Sequence, residues 1–131
     1  MRTILIVDDE PHVARVLTLT LERAGNRVQT APDGRAGLAM LLAEAPDALV
    51  TDIQMPRMTG RELVAALQRE RPDRRYPIFV MTSMTAREER EWVRGVPLVS
   101  FLEKPLSPRQ LVASLNRHFE AAVDTAGGPD A

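Results

Sequence analysis

Short apolar runs alternate along the chain with longer amphipathic segments. The runs at 4–7, 48–50 and 78–81 are continuously apolar, which is typical of strands buried on both faces of a parallel sheet. The weaker runs at 28–31 and 98–102 are interpreted as edge strands. Because strands and helices alternate, the pattern predicts a five-stranded parallel sheet joined by crossover helices.

The first two helices carry clear boundary signals. Pro11 suits the first turn of a helix that ends near Gly25, and Asp33 with Gly34 opens the second helix. Leu19 is interpreted as an isolated surface leucine, the alternative being a contact for a docking partner. The predicted core-facing stripe of the first helix consists of Val13, Val16, Leu17, Thr20, Leu21 and Ala24.

Three further helices begin with side-chain caps. Thr59 with Glu62, and Thr85 with Glu88, match the capping box, in which a hydroxyl and a carboxylate satisfy free N–H groups. Ser107, followed by a proline, opens the last helix in the same way. The pattern therefore predicts five helices.

These elements define the expected fold and its limits. They predict an α/β domain with a doubly wound parallel sheet of order 2-1-3-4-5 and right-handed crossovers. A chain of 131 residues suits one domain. We place that domain at 1–123 and expect 124–131, which contains Gly-Gly-Pro, to be a flexible tail or the start of a linker. The arginine-rich segment 69–75 is interpreted as a solvated connection before the fourth strand, the alternative being a binding patch.

Composition narrows the class of protein. Seventeen Lys and Arg balance eighteen Asp and Glu, so we expect neither direct nucleic-acid binding nor attraction to an anionic membrane. The absence of cysteine excludes disulfides and thiolate chemistry, and no apolar run is long enough for a signal peptide or a membrane span. We therefore expect a cytoplasmic protein.

Polar residues that could bind a ligand or take part in a reaction directly follow four of the predicted strands. The carboxyl ends of parallel strands meet at one edge of a doubly wound sheet, where ligands bind. Three carboxylates at that edge repel one another unless a cation joins them, and Mg²⁺ needs few protein ligands and keeps several waters. The residues concerned are Asp8, Asp9, Asp52, Thr82, Ser83 and Lys104.

The same residues carry a resemblance to a known family. The segments 8–10 (DDE), 52–56 (DIQMP), 58–60 (MTG), 82–83 (TS) and 101–105 (FLEKP) closely resemble the motifs of the receiver domain of two-component response regulators. The resemblance covers roughly 3 to 122 and implies a flavodoxin-like fold. Each motif alone is weak, but all of them in order and at the family spacing are specific.

The resemblance implies a role for each residue of the acidic site. Asp52 resembles the phosphoacceptor, a carboxylate nucleophile that forms an acyl phosphate. Asp9 resembles the direct ligand of Mg²⁺, and Asp8 resembles the residue that acts on the ion largely through water. Asp52 is also expected at the metal, and Gln54 is expected to add its backbone carbonyl. Lys104 resembles the lysine that contacts the phosphoryl group. Taken alone, Asp52 would be an ordinary loop carboxylate or helix cap.

The resemblance also implies a conformational switch. Thr82 resembles the hydroxyl that moves toward the phosphoryl group, and Ser83 the small residue where that group enters. Phe101 matches the aromatic switch position, with a plain core role as the alternative. The bond before Pro105 is usually cis in the family, whereas general statistics give a cis bond only about 5–6% of the time.

Function and partners follow as expectations from the resemblance. The expected phosphoryl donor is a histidine kinase or phosphotransfer protein. The expected output surface is the last strand with its flanking helices, and a phosphorylation-dependent dimer is a further expectation. Beyond self-assisted phosphotransfer and autodephosphorylation, no enzyme activity is expected. The alternatives are a pseudo-receiver that binds partners without phosphate cycling and an aspartyl-phosphate hydrolase, which usually has a second aspartate where this chain has Gln54.

Overall fold

A parallel sheet of five strands forms the centre of the molecule. The computed structural model describes residues 1–83, 86–92, 94–104 and 107–126. All neighbouring strands pair in parallel, and their order is β2-β1-β3-β4-β5. The predicted sheet and its order are thus confirmed. The strands are β1 (Thr3–Val7), β2 (Arg27–Ala31), β3 (Ala48–Asp52), β4 (Ile78–Thr82) and β5 (Val99–Glu103).

Helices connect the strands and cover the sheet on both faces. Of the residues described, none forms a helix long and apolar enough to cross a membrane. The last helix passes the expected domain boundary at 123, so the first three residues of the expected tail are helical. The helices are α1 (Pro11–Arg23), α2 (Gly34–Ala43), α3 (Gly60–Glu70), α4 (Ala86–Trp92) and α5 (Pro108–Ala126).

Two apolar layers sandwich the sheet. Alternate residues of β1 enter opposite layers, because successive strand side chains point to opposite faces. Ile4 and Ile6 pack in the layer that holds buried residues of α1 and α5. Leu5 and Val7 pack in the layer of α2 and α3, which Trp92 of α4 also contacts. Burial on both faces explains why the central strands are continuously apolar.

The predicted capping box of α3 is confirmed, and the cap predicted at Ser107 forms with a longer hydrogen bond. In α3 the Thr59 hydroxyl accepts from Glu62 N at 3.2 Å, and the Glu62 carboxylate accepts from Thr59 N at 3.0 Å. The Ser107 hydroxyl accepts from Gln110 N at a longer 3.4 Å. The predicted cap at Thr85 lies outside the described residues.

The core-facing stripe of α1 is narrower than predicted. Leu17 and Leu21 are buried, but Val16 is 37% exposed and Ala24 is exposed. Ala24 is the C-cap of α1, and the last buried residue of this helix is Leu21. Val16 lines an open groove together with other residues of α1, with Lys104 and with Pro108 at the start of α5. Leu19 is 48% exposed, as expected for a surface leucine.

The arginine-rich segment is not wholly solvated. Arg74 is only 8% exposed, and its guanidinium donates to the carbonyls of Tyr76 and Pro97. These two carbonyls precede β4 and β5, so Arg74 joins the connections that enter both strands. Burial lowers the pKa of Arg74, and the two carbonyl acceptors offset the cost of desolvating its charge. The interpretation of 69–75 as a purely solvated connection was therefore wrong for Arg74.

Candidate functional site

An acidic cluster occupies the carboxyl edge of the sheet. Asp8 and Asp9 follow β1, and Asp52 is the last residue of the neighbouring strand β3. One carboxylate oxygen from each of the three lies within 4.8 Å of the others. Asp8 and Asp52 are buried and Asp9 is exposed. The structure therefore brings together the three side chains that the sequence predicts as a metal site.

A turn after β1 allows Asp8 and Asp9 to share one site. The Asp8 amide still pairs with the Ala31 carbonyl of β2 at 3.1 Å, but its carboxylate turns back to accept from the Glu10 amide at 2.8 Å. Burial raises the pKa of Asp8 to about 6. The bond from Glu10 opposes this increase in pKa, whereas the charges of Asp52, Glu10 and Asp9 add to it.

A lysine from another strand end reaches the same cluster. The ammonium group of Lys104, which follows β5, donates to Oδ1 of Asp52 at 2.7 Å. The Ile53 amide donates to the same oxygen at 2.8 Å. The Lys104 amide is fixed in turn by the Thr82 carbonyl at 2.9 Å. Among the described residues, Oδ1 of Asp52 therefore accepts both of these hydrogen bonds, one from Lys104 and one from the Ile53 amide.

A cleft of about 310 Å³ opens over Asp52. Thr82 ends β4 with only 2% of its surface exposed, and Ser83 beside it is exposed. Glu88 also lines the cleft, and the sequence predicted it only as half of a helix cap. The lining residues are Asp52, Ile53, Gln54, Met81, Thr82, Ser83, Glu88 and Lys104.

The predicted switch aromatic lies against α4. Phe101 on β5 is partly buried, and its ring centroid is 5.4 Å from that of Trp92 at an interplanar angle of 47°. The guanidinium of Arg61 on α3 lies 5.9 Å from the centre of the Trp92 ring. Phe101 therefore contacts α4 through Trp92, and Trp92 in turn contacts Arg61 of α3. The predicted cis bond before Pro105 lies outside the described residues.

One ion pair beside the site was not predicted. Asp33 caps α2 by accepting from the Ala36 amide at 2.8 Å, and it also accepts from Arg57 Nε at 2.8 Å. Arg57 lies in the loop after β3, the strand that ends at Asp52. The sequence identified Asp33 only as the start of a helix, and no local pattern pairs residues 24 positions apart.

The donor set of the acidic cluster fits a magnesium ion. Its three side chains offer carboxylate oxygens, which hard divalent cations prefer. Burial is the main cause of the raised pKa of Asp8, and the charges of Asp52, Glu10 and Asp9 raise it further. A divalent cation would offset those charges. Fold and site together define the class, a doubly wound α/β domain with a cluster of three carboxylates at its strand ends.

Comparisons with known proteins identify the family. The family model described as the response regulator receiver domain matches residues 4–116. PilH of Pseudomonas aeruginosa is 30% identical over 116 residues, which are 88% of this chain and 96% of PilH. The structure of the chemotaxis response regulator CheY4 of Vibrio cholerae is 34% identical with a TM-score of 0.80, covering 89% of this chain and 98% of that one. The chain belongs to the response regulator receiver domain family.

Some relatives are longer than this chain. The alkaline phosphatase synthesis transcriptional regulatory protein PhoP of Bacillus subtilis is 35% identical over 130 residues, which are 95% of this chain and 52% of PhoP. The chain thus spans about half the length of PhoP and nearly all of PilH. Receiver domains are signalling domains of two-component systems, and this chain is one of them.

Proposed function

We propose that Asp52 accepts a phosphoryl group with the help of Mg²⁺ bound by Asp8, Asp9, Asp52 and the backbone carbonyl of Gln54. The observation that carries this proposal is that Asp52 belongs to two groups at once. Its carboxylate clusters with those of Asp8 and Asp9, and it also pairs with Lys104 in the cleft. When bound, the cation would neutralise charge on the transferred group. A pseudo-receiver would not need these residues together. An aspartyl-phosphate hydrolase usually has a second aspartate where this chain has Gln54, so the hydrolase is less favoured.

The geometry favours a specific oxygen as the nucleophile. Because Oδ1 of Asp52 already accepts from Lys104 and the Ile53 amide, Oδ2 is the oxygen that attacks phosphorus. The new O–P bond forms as the P–N bond of a phosphohistidine breaks, and the electron pair goes to the imidazole, which takes up a proton. Lys104 then shifts from the carboxylate to a phosphoryl oxygen, whose charge it stabilises.

The signal passes from the phosphoryl group to β5. Thr82 lines the same cleft as Asp52, so its hydroxyl can donate to a phosphoryl oxygen. Ser83 leaves the entrance open because its side chain is small. Movement of Thr82 would free space for Phe101, which would turn inward and change its contact with Trp92. The surface of β5 and its flanking helices would then differ between the two states.

The partners follow from this chemistry. The donor is a histidine kinase or phosphotransfer protein, since the cleft admits a phosphoryl group to Asp52. The output partner binds the surface formed by β5 with α4 and α5, where Phe101 moves, and a phosphorylation-dependent dimer would use the same surface. The protein acts as a switch, with self-assisted phosphotransfer and autodephosphorylation as its only chemistry.

Acetyl phosphate with Mg²⁺ provides the direct test. Intact-protein mass spectrometry should detect one added phosphoryl group on the wild type and none on Asp52→Asn. Beryllofluoride should shift the backbone amide resonances of Thr82 and Phe101 in the wild type only. Absence of both effects in the folded wild type would favour the pseudo-receiver, and steady turnover of a small phosphoester would favour the hydrolase.

A further inference from the structure

The loop between β3 and α3 is held to the start of α2 as well as to its own ends. This loop, residues 53–59, carries Gln54 and directly follows Asp52. The Gly60 amide donates to the Ile53 carbonyl at 2.7 Å, which closes the loop on itself. The Gly34 amide of α2 donates to the Met58 carbonyl at 3.2 Å. Backbone contacts therefore fix both the closure and one side of the loop.

The approach of α2 to this loop is close. A Cβ atom on Gly34 would lie 2.4 Å from the Met58 carbonyl oxygen and 2.9 Å from the Met58 Cβ. Such distances are too short for non-bonded atoms, so a residue with a side chain at position 34 would push the loop away. The start of α2 thus packs directly against the β3–α3 loop. A change where the two meet would shift the loop.

A side-chain ion pair reinforces this junction. Arg57 adopts a φ of 66°, which is unfavourable for a residue with a Cβ atom, and glycine would adopt it freely. In that conformation its Nε donates to Oδ2 of Asp33 at 2.8 Å. The Asp33 side chain is only 7% exposed, whereas that of Arg57 is 61% exposed. A buried carboxylate thus anchors an exposed arginine in the loop.

Asp33 serves two elements with its two oxygens. Oδ1 accepts from the Ala36 amide at the start of α2, and Oδ2 accepts from Arg57. These two bonds, the first more than the second, hold the pKa of Asp33 below its usual range. Asp33 therefore stays charged at neutral pH, and the ion pair to the loop persists there.

We propose that the Asp33–Arg57 ion pair is a positioning device that holds the β3–α3 loop in the shape needed to bind Mg²⁺ beside Asp52. Arg57 is a positioning residue and not a catalytic one, because it acts on the site only through the loop that carries Gln54. The inference rests on the proposed function, since it assigns the loop to the magnesium site. It predicts that Mg²⁺ affinity falls when the Asp33–Arg57 ion pair is broken, although no metal ligand has changed.

A double-mutant cycle tests the proposal. Asp33→Asn removes the charge but keeps a good N-cap residue, and Arg57→Gln removes the guanidinium at the same backbone position. Calorimetry should give Mg²⁺ affinities about 3- to 10-fold weaker for each single variant. The double variant should be no weaker than either single one, because the same contact is lost in all three. Arg57→Lys should recover part of the affinity.

Hydrogen exchange and a charge-matched control separate positioning from general destabilisation. Amides of residues 53–59 should exchange faster in Arg57→Gln without Mg²⁺, with β1 and α5 unchanged. Arg35→Gln, an equal change of charge on α2, should leave both Mg²⁺ affinity and loop exchange as in the wild type. Additive losses in the double variant, or wild-type Mg²⁺ affinity in both single variants, would overturn the ion-pair role while the proposed function stands. A wild type that binds no Mg²⁺ and accepts no phosphoryl group would overturn both.

Discussion

Lys104 and Asp52 form an ion pair across the carboxyl edge of the sheet, with Nζ 2.7 Å from Oδ1. Asp52 ends β3 and Lys104 directly follows β5, and β4 lies between these two strands. The ammonium group therefore occupies the space between two strand ends, where a phosphoryl oxygen would lie after transfer to Asp52. It provides one positive charge to a cluster of three carboxylates, and a divalent cation would have to bind against the repulsion of that charge.

Replacing Lys104 should separate cation binding from phosphotransfer. Lys104→Met keeps the length of the side chain but removes its charge, so phosphorylation by acetyl phosphate should slow by about 10²-fold. Mg²⁺ should bind roughly 3- to 10-fold more tightly, because a competing cation has gone. Stopped-flow kinetics and calorimetry measure the two effects. Lys104→Arg is the matched control and should retain the weaker Mg²⁺ binding. Wild-type kinetics in Lys104→Met would show that the ammonium group takes no part in transfer.

Magnesium binding should depend on the protonation of Asp8. Its pKa is raised to about 6, so its protonated fraction grows as the pH falls through that value. Protonation removes a ligand charge, and Mg²⁺ affinity should therefore fall about tenfold from pH 7 to pH 5. Calorimetry in buffers of different ionisation enthalpy should detect proton release near pH 6. Affinity that stays constant across this interval would contradict a ligand role for Asp8.

The raised pKa also predicts the sign of a stability change. Without Mg²⁺ the native state binds the Asp8 proton more tightly than the unfolded chain, so stability falls as the pH rises from about 4 to about 6. Asp8→Asn removes this unfavourable charge. It should raise the free energy of unfolding by about 1–2 kcal/mol at neutral pH, a figure that allows for solvent screening. The advantage should vanish below about pH 4 in urea titrations. A destabilised Asp8→Asn at neutral pH would show that the bond from Glu10 outweighs the burial.

Sequence pattern was sufficient for the sheet because the strands are buried on both faces. Ile4 to Val7 must be apolar throughout to fill two layers, and this requirement is visible in the chain itself. The site could be predicted in the same way, since the end of each strand is a fixed position at one edge of a parallel sheet. Family spacing then distinguished Asp52 and Lys104 from ordinary surface residues.

The features that escaped prediction depend on contacts between distant segments. Arg57 and Asp33 are joined only because the loop after β3 packs on the start of α2. Arg74 is buried only because carbonyls before two strands surround it. Neither residue has a local pattern that separates it from a solvated charge. Val16 belongs to the apolar repeat of α1, but that repeat could not show that its side chain lines an open groove near the start of α5.

Trp92 should report the switch directly. It is the single tryptophan of the chain, and its ring packs against Phe101 at 5.4 Å between centroids. Movement of Phe101 should therefore change the emission of Trp92 when beryllofluoride and Mg²⁺ are added. If the Thr82 hydroxyl couples the phosphoryl mimic to β5 as proposed, the mimic should bind to Thr82→Val with a much smaller change in Trp92 emission. Equal changes in both proteins would mean that Thr82 does not transmit the signal.

Gly60 should be required for both stability and phosphotransfer. It is the first residue of α3, where alanine would ordinarily favour the helix by up to about 1 kcal/mol. However, a Cβ at this position would lie 2.1 Å from the Asp52 carbonyl oxygen and 2.9 Å from the Ile53 Cα. The backbone at Asp52 and Ile53 would have to shift. Gly60→Ala should therefore destabilise the protein by about 1–3 kcal/mol in urea titrations and slow phosphorylation of Asp52 in the folded fraction.

Gly25 offers the matched control for this substitution. Its φ of 94° disfavours alanine, but no heavy atom beyond the adjacent residues lies within 4 Å of a Cβ added there. Gly25→Ala should therefore cost about 1–2 kcal/mol of stability through backbone conformation alone and leave phosphorylation at the wild-type rate. If Gly60→Ala were as stable as the wild type, the backbone at Asp52 could move without penalty. If both variants lost phosphorylation equally, the defect would follow general stability and not the contact between Gly60 and Asp52.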